Sequence, residues 1–422
     1  MVIEAQAPAA PPRPGPTPRR SVRDAAAAAY RWIGTRNQGV VVLLSLVTGF
    51  AVSAVLIVAT TADIRIALGG LFRHPGNALA VTGEGLWSFY TGLFRGAIVD
   101  PEMLGRAFAD PSVAAWRRAL TPLGNTITAA VPLAIVGVGL AIAYRSAAFN
   151  MGAHAQMVGG GIGASWVAFG LPGLPWLPHV LLAIVAAVVG GALCGLLPGL
   201  LKAVTGASEV IVTIMFNYVM ANVLVFLLSS TFFRAEGNGV ANPVGRVTPP
   251  SAALTDLVPF LPVNAGAIVA LLVVVAGAVL LNPSRLGFEM QIAGASPRAA
   301  DVAGIRRKVV VVWAFVISGA VCGIAGAVQV LGVSQQLQVE FGHTIGTLGI
   351  LVAFVGNTRP VGVAAAALLY GALQAGGLTA QLDSGVSYQL TNVMQSLIVM
   401  FVTAPALIAA IYRLRERQGA SR

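Results

Sequence analysis

Lysine occurs only twice in the 422-residue chain, at Lys202 and Lys308. A phosphate-binding loop of the Gly-x-x-x-x-Gly-Lys-Ser/Thr type needs its lysine to reach the terminal phosphates of a nucleotide. Lys202 stands in PGLLKAV and Lys308 in IRRKVVV, so neither has that setting. The chain thus has no ATP cofactor site of this kind, and ATP-driven activity requires a partner subunit. The four histidines, His74, His154, His179 and His343, are scattered, with no paired carboxylate and nucleophile beside them. Each reads as an interfacial or hydrogen-bonded imidazole. No catalytic residue is named, and the chain is read as a non-enzyme. Cys194 and Cys322 fall inside apolar runs, which implies neither a disulfide framework nor a metal site.

What remains are polar residues within or beside apolar runs, where they are costly in lipid and face a cavity or a neighbouring helix. The clearest group is Arg145, Asn150, His154 and Gln156. A second is Ser208, Glu209 and Asn217, and a third is Gln329, Ser334, Gln335 and Gln336. Interhelical hydrogen bonding is the plain reading of any one of them. Asn150, His154, Gln156 and Asn217 are the candidates for a solute pathway.

A different chemistry is concentrated at Pro283–Lys308, a charged island carrying Arg285, Glu289, Arg298, Asp301, Arg306, Arg307 and Lys308 between long apolar runs. Inside it, Ser296-Pro297 followed by Gly304 frames a very short helix. Serine caps the free N–H groups, proline fits the first turn, and glycine permits a left-handed stop. A short capped helix in a basic loop is something another protein can grip.

The elements that position these residues are membrane spans. The chain is 57% hydrophobic and 10% charged, with mean hydropathy +0.82. A soluble domain is about one quarter charged. Ten apolar runs follow one another at 39–62, 120–144, 152–170, 178–201, 208–232, 263–282, 309–332, 344–358, 360–378 and 389–412. The fold class expected is an all-α polytopic membrane protein of about ten transmembrane helices. The runs 152–170 and 344–358 are short and Gly-rich, and suit broken or half-crossing helices. Residues 1–36 read as a disordered, basic, Pro-rich tail, 37–412 as the transmembrane domain and 413–422 as a basic tail. Within the domain, 63–119 is expected to hold amphipathic surface helices and 233–262 an irregular loop. Small residues at Gly190, Gly191, Gly319, Gly323 and Gly326 let helices approach closely.

The net charge of +11 would suggest nucleic acid in a soluble protein, but here it sits at the ends of apolar runs. With the N-terminus inside, ten crossings place 18 of the 26 Lys and Arg on the same side. That distribution predicts cytoplasmic termini and a cytoplasmic 283–308 loop. Partners are membrane lipid and protein, with no nucleic acid polymer.

Taken together, five stretches resemble the permease subunits of bacterial ABC importers of the branched-chain amino acid, ribose and nucleoside type. They are FNMGAHAQMVGGGIGA at 149–164, GASEVIVTIMFNYV at 206–219, GASPRAADVAGI at 294–305, ISGAVCGIAGAVQVLG at 317–332 and GILVAFVGNTRPVGVAAAALLYGAL at 349–373. The first is most similar to the nucleoside and simple-sugar branch. Three positions depart from the family pattern: His154 replaces a glutamate, Ala155 a glycine and Ser208 an asparagine. The resemblance implies an inverted-repeat, type II importer bundle in the bacterial inner membrane. It further implies ATP and Mg bound by a partner ATPase, a second related permease and an external solute-binding protein. Ser296, Pro297, Arg298, Ala299, Ala300, Asp301 and Gly304 would form the contact with the ATPase. Nucleosides or simple sugars are the implied solutes, with branched-chain amino acids or pentoses as alternatives. An ion- or proton-coupled secondary transporter is the rival class, and it would want an in-span carboxylate such as Glu209.

Overall fold

The computed structural model describes residues 38–235 and 243–412; the tails expected at 1–36 and 413–422 lie outside them. The elements before the charged island are α1 (Gln38–Thr60), α2 (Ala62–Gly69), α3 (Pro75–Ala97), α4 (Pro101–Ala109), α5 (Val113–Arg145), α6 (Ala153–Gly170), α7 (Trp176–Thr205) and α8 (Glu209–Ser229). A two-stranded antiparallel hairpin, β1 (Asp256–Val258) and β2 (Leu261–Asn264), replaces part of the irregular loop expected at 233–262. Then come α9 (Gly266–Leu281), α10 (Arg285–Ala295), α11 (Pro297–Val302), α12 (Arg307–Val328), α13 (His343–Val355), α14 (Pro360–Ser384), α15 (Tyr388–Thr403) and α16 (Pro405–Ile411). Gln329–Val333 continues α12 as a π-turn.

Every apolar run contains a helix, and the expected count of about ten spans is approximate. Among the described residues six helices (α1, α5, α7, α8, α12 and α14) are long and apolar enough to cross a membrane. A seventh arises if α9 and α10, bent by 67° at Asn282–Ser284, count as one span. The others fall short for visible reasons. α13 has only 13 residues, and the last run breaks at Ala404-Pro405 into α15 and α16. α6 carries His154, Gln156 and many glycines, yet it is almost wholly buried, so protein surrounds it rather than lipid.

The centre of the bundle is α5, whose residues from Ala130 to Ala143 are buried on all sides. Around it the packing is reciprocal. Taking α5–α8 and α12–α15 as two four-helix sets, the third helix of the first set, α7, packs on α12. The third helix of the second, α14, packs on α5. Two halves related by a two-fold axis in the membrane plane produce such a pattern.

The crossings are made by glycine. At α7–α12, a Cβ on Gly191 would overlap the Gly319 carbonyl, and one on Gly323 the Ala187 carbonyl. Gly160 of α6 lies against Gly323, and Gly326 against the Met157 carbonyl. Three backbones thus touch with no side chain between them, as the small-residue spacing predicted.

The 63–119 segment is helical, but α3 is not isolated at a surface. Gly92 lies against Ala380, Gly96 against Thr379, and Gly376 of α14 against the Leu93 carbonyl. The Tyr90 hydroxyl donates to Phe50 O of α1 at 2.7 Å, and Phe89 is buried beside Ile57, Leu373 and Ile398. The end of the segment, from Val113, is the first part of α5, capped by the Ser112 side chain accepting from Ala115 N at 3.1 Å.

Candidate functional site

An α-helix that starts inside a protein must find partners for its first N–H groups. For the start of α6 those partners are Asn150 and Asn217, both singled out above, together with Thr213, which was not. Asn150 Oδ1 accepts from Gly152 N at 2.8 Å, Thr213 Oγ1 from Met151 N at 3.2 Å, and Asn217 Oδ1 from Ala155 N at 3.0 Å. Asn150 Nδ2 donates to Gln156 Oε1 at 3.0 Å and to Ser318 Oγ at 2.9 Å. Asn217 Nδ2 donates to Met151 O at 2.9 Å. Asn150 and Gln156 are buried, so these two pathway candidates sit within the protein fabric rather than on a free surface. Among the described residues the Gln156 amide nitrogen has no hydrogen-bond partner.

His154 and Asn217 border an open cleft of about 310 Å³ between α6, α8 and α13, whose other polar walls are Tyr218, Glu340, His343 and Thr347. Ile214, Asn217, Tyr218 and Ala221 reach it because helical periodicity puts them on one face of α8. His343 arrives through a turn pivoting on Gly342, which is left-handed at φ 74°. That turn aims the Phe341 carbonyl at His154 Nε2, 3.2 Å away. A carbonyl only accepts, so Nε2 carries the proton and Nδ1 is left as the acceptor. The His154 and His343 rings meet edge to face with centroids 5.2 Å apart. On the other side of the turn a second cleft, about 170 Å³, is bordered by Gln329, Ser334 and again Glu340.

Tyr218, Glu340, His343 and Thr347 were not chosen from the sequence. One signal was there: Glu340 is the single charged residue between Lys308 and Arg359. Glu209, the carboxylate that a coupled transporter would want, is held instead by Lys202 Nζ at 2.6 Å across the α7–α8 turn. His179 is structural, with Nδ1 3.1 Å from Ser251 Oγ and Nε2 3.2 Å from Val167 O.

The charged island folds as its capping residues dictate. α11 runs Pro297–Val302, the Ser296 hydroxyl accepts from Ala299 N at 3.3 Å, and Gly304 stops the chain at φ 71°. Pro297, Arg298, Ala299, Asp301 and Gly304 are exposed. Ala300 is fully buried, so it anchors α11 to its own bundle instead of facing outward. The outer face instead presents Val302, 91% exposed, an apolar knob beside Asp301. The adjoining α10 is seated on the end of α5, with Gly294 against the Arg145 carbonyl and Ala147 N.

Comparison with known proteins agrees with this architecture. Residues 123–404 match the family model described as the branched-chain amino acid transport system, permease component. The chain is 32% identical over 302 residues to a guanosine ABC transporter permease of Bacillus subtilis, covering 71% of this chain and 86% of that one. It is 30% identical over 294 residues to a nucleoside ABC transporter permease of Lactococcus lactis, covering 68% and 80%. A glucose ABC transporter permease of Haloferax volcanii is 29% identical over 306 residues, covering 70% and 78%. No solved structure matches the chain. With a glycine-crossed bundle and a match across two thirds of its length, the chain belongs to the permease-component family of the branched-chain amino acid transport system.

Proposed function

We propose that the protein is the membrane-spanning subunit of an ATP-driven importer that moves nucleosides, with simple sugars as the nearest alternative. Two relatives named for guanosine or nucleosides and one named for glucose support that choice of solute. The mechanism is conformational: partner ATPases move α11, and the bundle exchanges the face to which its pathway opens. An external binding protein delivers the solute, and a second permease completes the pathway. In this reading the termini and the 283–308 loop are cytoplasmic in a bacterial inner membrane, as the distribution of Lys and Arg favours.

The observation that carries the reading is α11 itself. Pro297, Arg298, Ala299, Asp301 and Val302 stand out on a six-residue helix whose Ala300 is locked into the bundle. A push on the exposed face therefore travels through Ala300 and α10 to the end of α5 and the Asn150 network. Glu209, the carboxylate that the rival coupled transporter would want, is paired with Lys202.

Co-purification tests the docking. Expressed with its neighbouring subunits, the wild-type chain should retain an ATPase, and Val302→Asp or Arg298→Glu should release it while the permease stays folded. Retention of the ATPase by both variants would count against α11 as the contact.

A further inference from the structure

We propose that the cleft between α6, α8 and α13 is a base-selective solute site, in which the Glu340 carboxylate reads adjacent N–H donors of a heteroaromatic base and Tyr218 supplies a stacking face. The inference rests on the nucleoside reading above and names the residues that would execute it.

Glu340 sets this cleft apart. No other charge occurs from 309 to 358, and among the described residues Glu340 pairs with no cation. Its carboxylate is exposed on the turn 334–342 that leads into α13, where a solute entering the cleft can reach it. It borders both clefts, and its backbone is fixed: Phe341 N donates to Gln338 O at 3.0 Å and His343 N to Glu340 O at 3.2 Å. Small-molecule sites span roughly 300–1,000 Å³, so a cleft of about 310 Å³ takes one compact solute. Asn217 lies near the middle of α8, which puts the cleft at half the height of that helix. Solute sites of transporters lie at such depths.

The wall is rich in acceptors. His154, whose Nε2 is committed to the Phe341 carbonyl, and Thr347, whose hydroxyl donates to His343 O at 3.1 Å, line the cleft with Glu340 and keep acceptor lone pairs unused by these bonds. The amide of Asn217 is already bonded on both atoms. Its neighbour Tyr218 is 65% exposed and presents an unencumbered ring, with Ile214 and Val339 as the apolar surround. Such a wall suits an uncharged solute bearing adjacent ring and exocyclic N–H groups, the edge that guanosine carries. A carboxylate accepts two parallel N–H bonds from that edge. Uridine places carbonyls on either side of its single N–H, and these repel the same carboxylate. A nucleotide phosphate finds no fixed cation among the lining residues.

The test is competitive uptake by the complete complex, reassembled with its ATPase and binding protein in vesicles, using labelled guanosine and uridine. Because one binding protein serves every variant, its own selectivity cancels. Glu340→Gln should lower the guanosine-to-uridine ratio by about tenfold, the effect of one mispaired hydrogen bond. Tyr218→Ala should lower uptake of both nucleosides together, and Tyr218→Phe should restore it. Both side chains are exposed, so neither change disturbs the core. If Glu340→Gln leaves the ratio unchanged, or depresses both nucleosides equally, the site is refuted and the nucleoside reading survives. If the wild-type complex carries glucose but no nucleoside, both fall.

Discussion

His154 and His343 stand in the first turns of α6 and α13 and touch edge to face across a 5.2 Å centroid separation. Each follows a glycine N-cap, Gly152 and Gly342, and each belongs to the second helix of its four-helix set. The pair joins the two halves of the chain where their helices begin. It also explains how a histidine can stand where the resembling family has glutamate: the Phe341 carbonyl 3.2 Å away needs a donor.

Replacing that donor should be felt as stability. His154→Glu would set a carboxylate against a carbonyl and cost about 1–3 kcal/mol, whereas His154→Gln retains an N–H and should cost less. Thermal unfolding of the two purified variants in the same detergent compares them directly. Equal melting temperatures would refute the bond's importance.

Asn150 should behave as a structural residue. Asn150→Ala removes an acceptor for Gly152 N and a donor to both Gln156 and Ser318, all in a buried setting. A loss of about 2–3 kcal/mol in stability is expected, with the ratio of uptake among solutes unchanged in whatever protein folds. A selectivity change at full stability would restore Asn150 to the pathway.

The glycine crossing should be intolerant of a single methyl group. Gly191→Ala drives a Cβ into the Gly319 carbonyl and Gly323 and should destabilise by about 1–3 kcal/mol or block folding. Gly105→Ala, in α4 with open space around it, should be neutral or stabilising by up to about 1 kcal/mol through helix propensity. Folded yield after detergent extraction measures both.

Glu209 offers a check on energy coupling. Glu209→Gln breaks the Lys202 pair yet should leave ATP-driven uptake standing and insensitive to proton or sodium ionophores. Collapse of uptake on adding an ionophore would reopen the ion-coupled alternative.

Much of this architecture can be read from residues, and the failures have physical causes. The long runs at 120–144, 178–201 and 309–332 announce α5, α7 and α12, because lipid demands continuous apolar length. Ser296, Pro297 and Gly304 announce α11 because caps act locally. α3 escapes such a reading: Gly83, Glu84 and Gly85 interrupt its hydropathy, and its burial comes from α14, nearly three hundred positions away in the chain. The reciprocal packing of α7 on α12 and α14 on α5 is a relation between backbones, and the two halves share no obvious sequence identity to signal it. Asn150 and Gln156 draw attention as polar residues in an apolar setting, but polarity alone does not separate a solute contact from a helix start that needs hydrogen-bond partners. The cleft unites Tyr218 of α8 with Glu340 and His343 at a turn more than one hundred positions later, so only the isolated charge of Glu340 hints at it.

The contact of Gly160, Gly191 and Gly323 constrains how the molecule can move. Side chains can change rotamer to let one helix slide along another, but bare backbones meeting at a carbonyl have nothing to rearrange. Sliding there would have to separate three helices at once. The crossing is built as an axle, and the alternation proposed above would then be a rocking about it, largest at the ends of α7 and α12 and smallest at their middles.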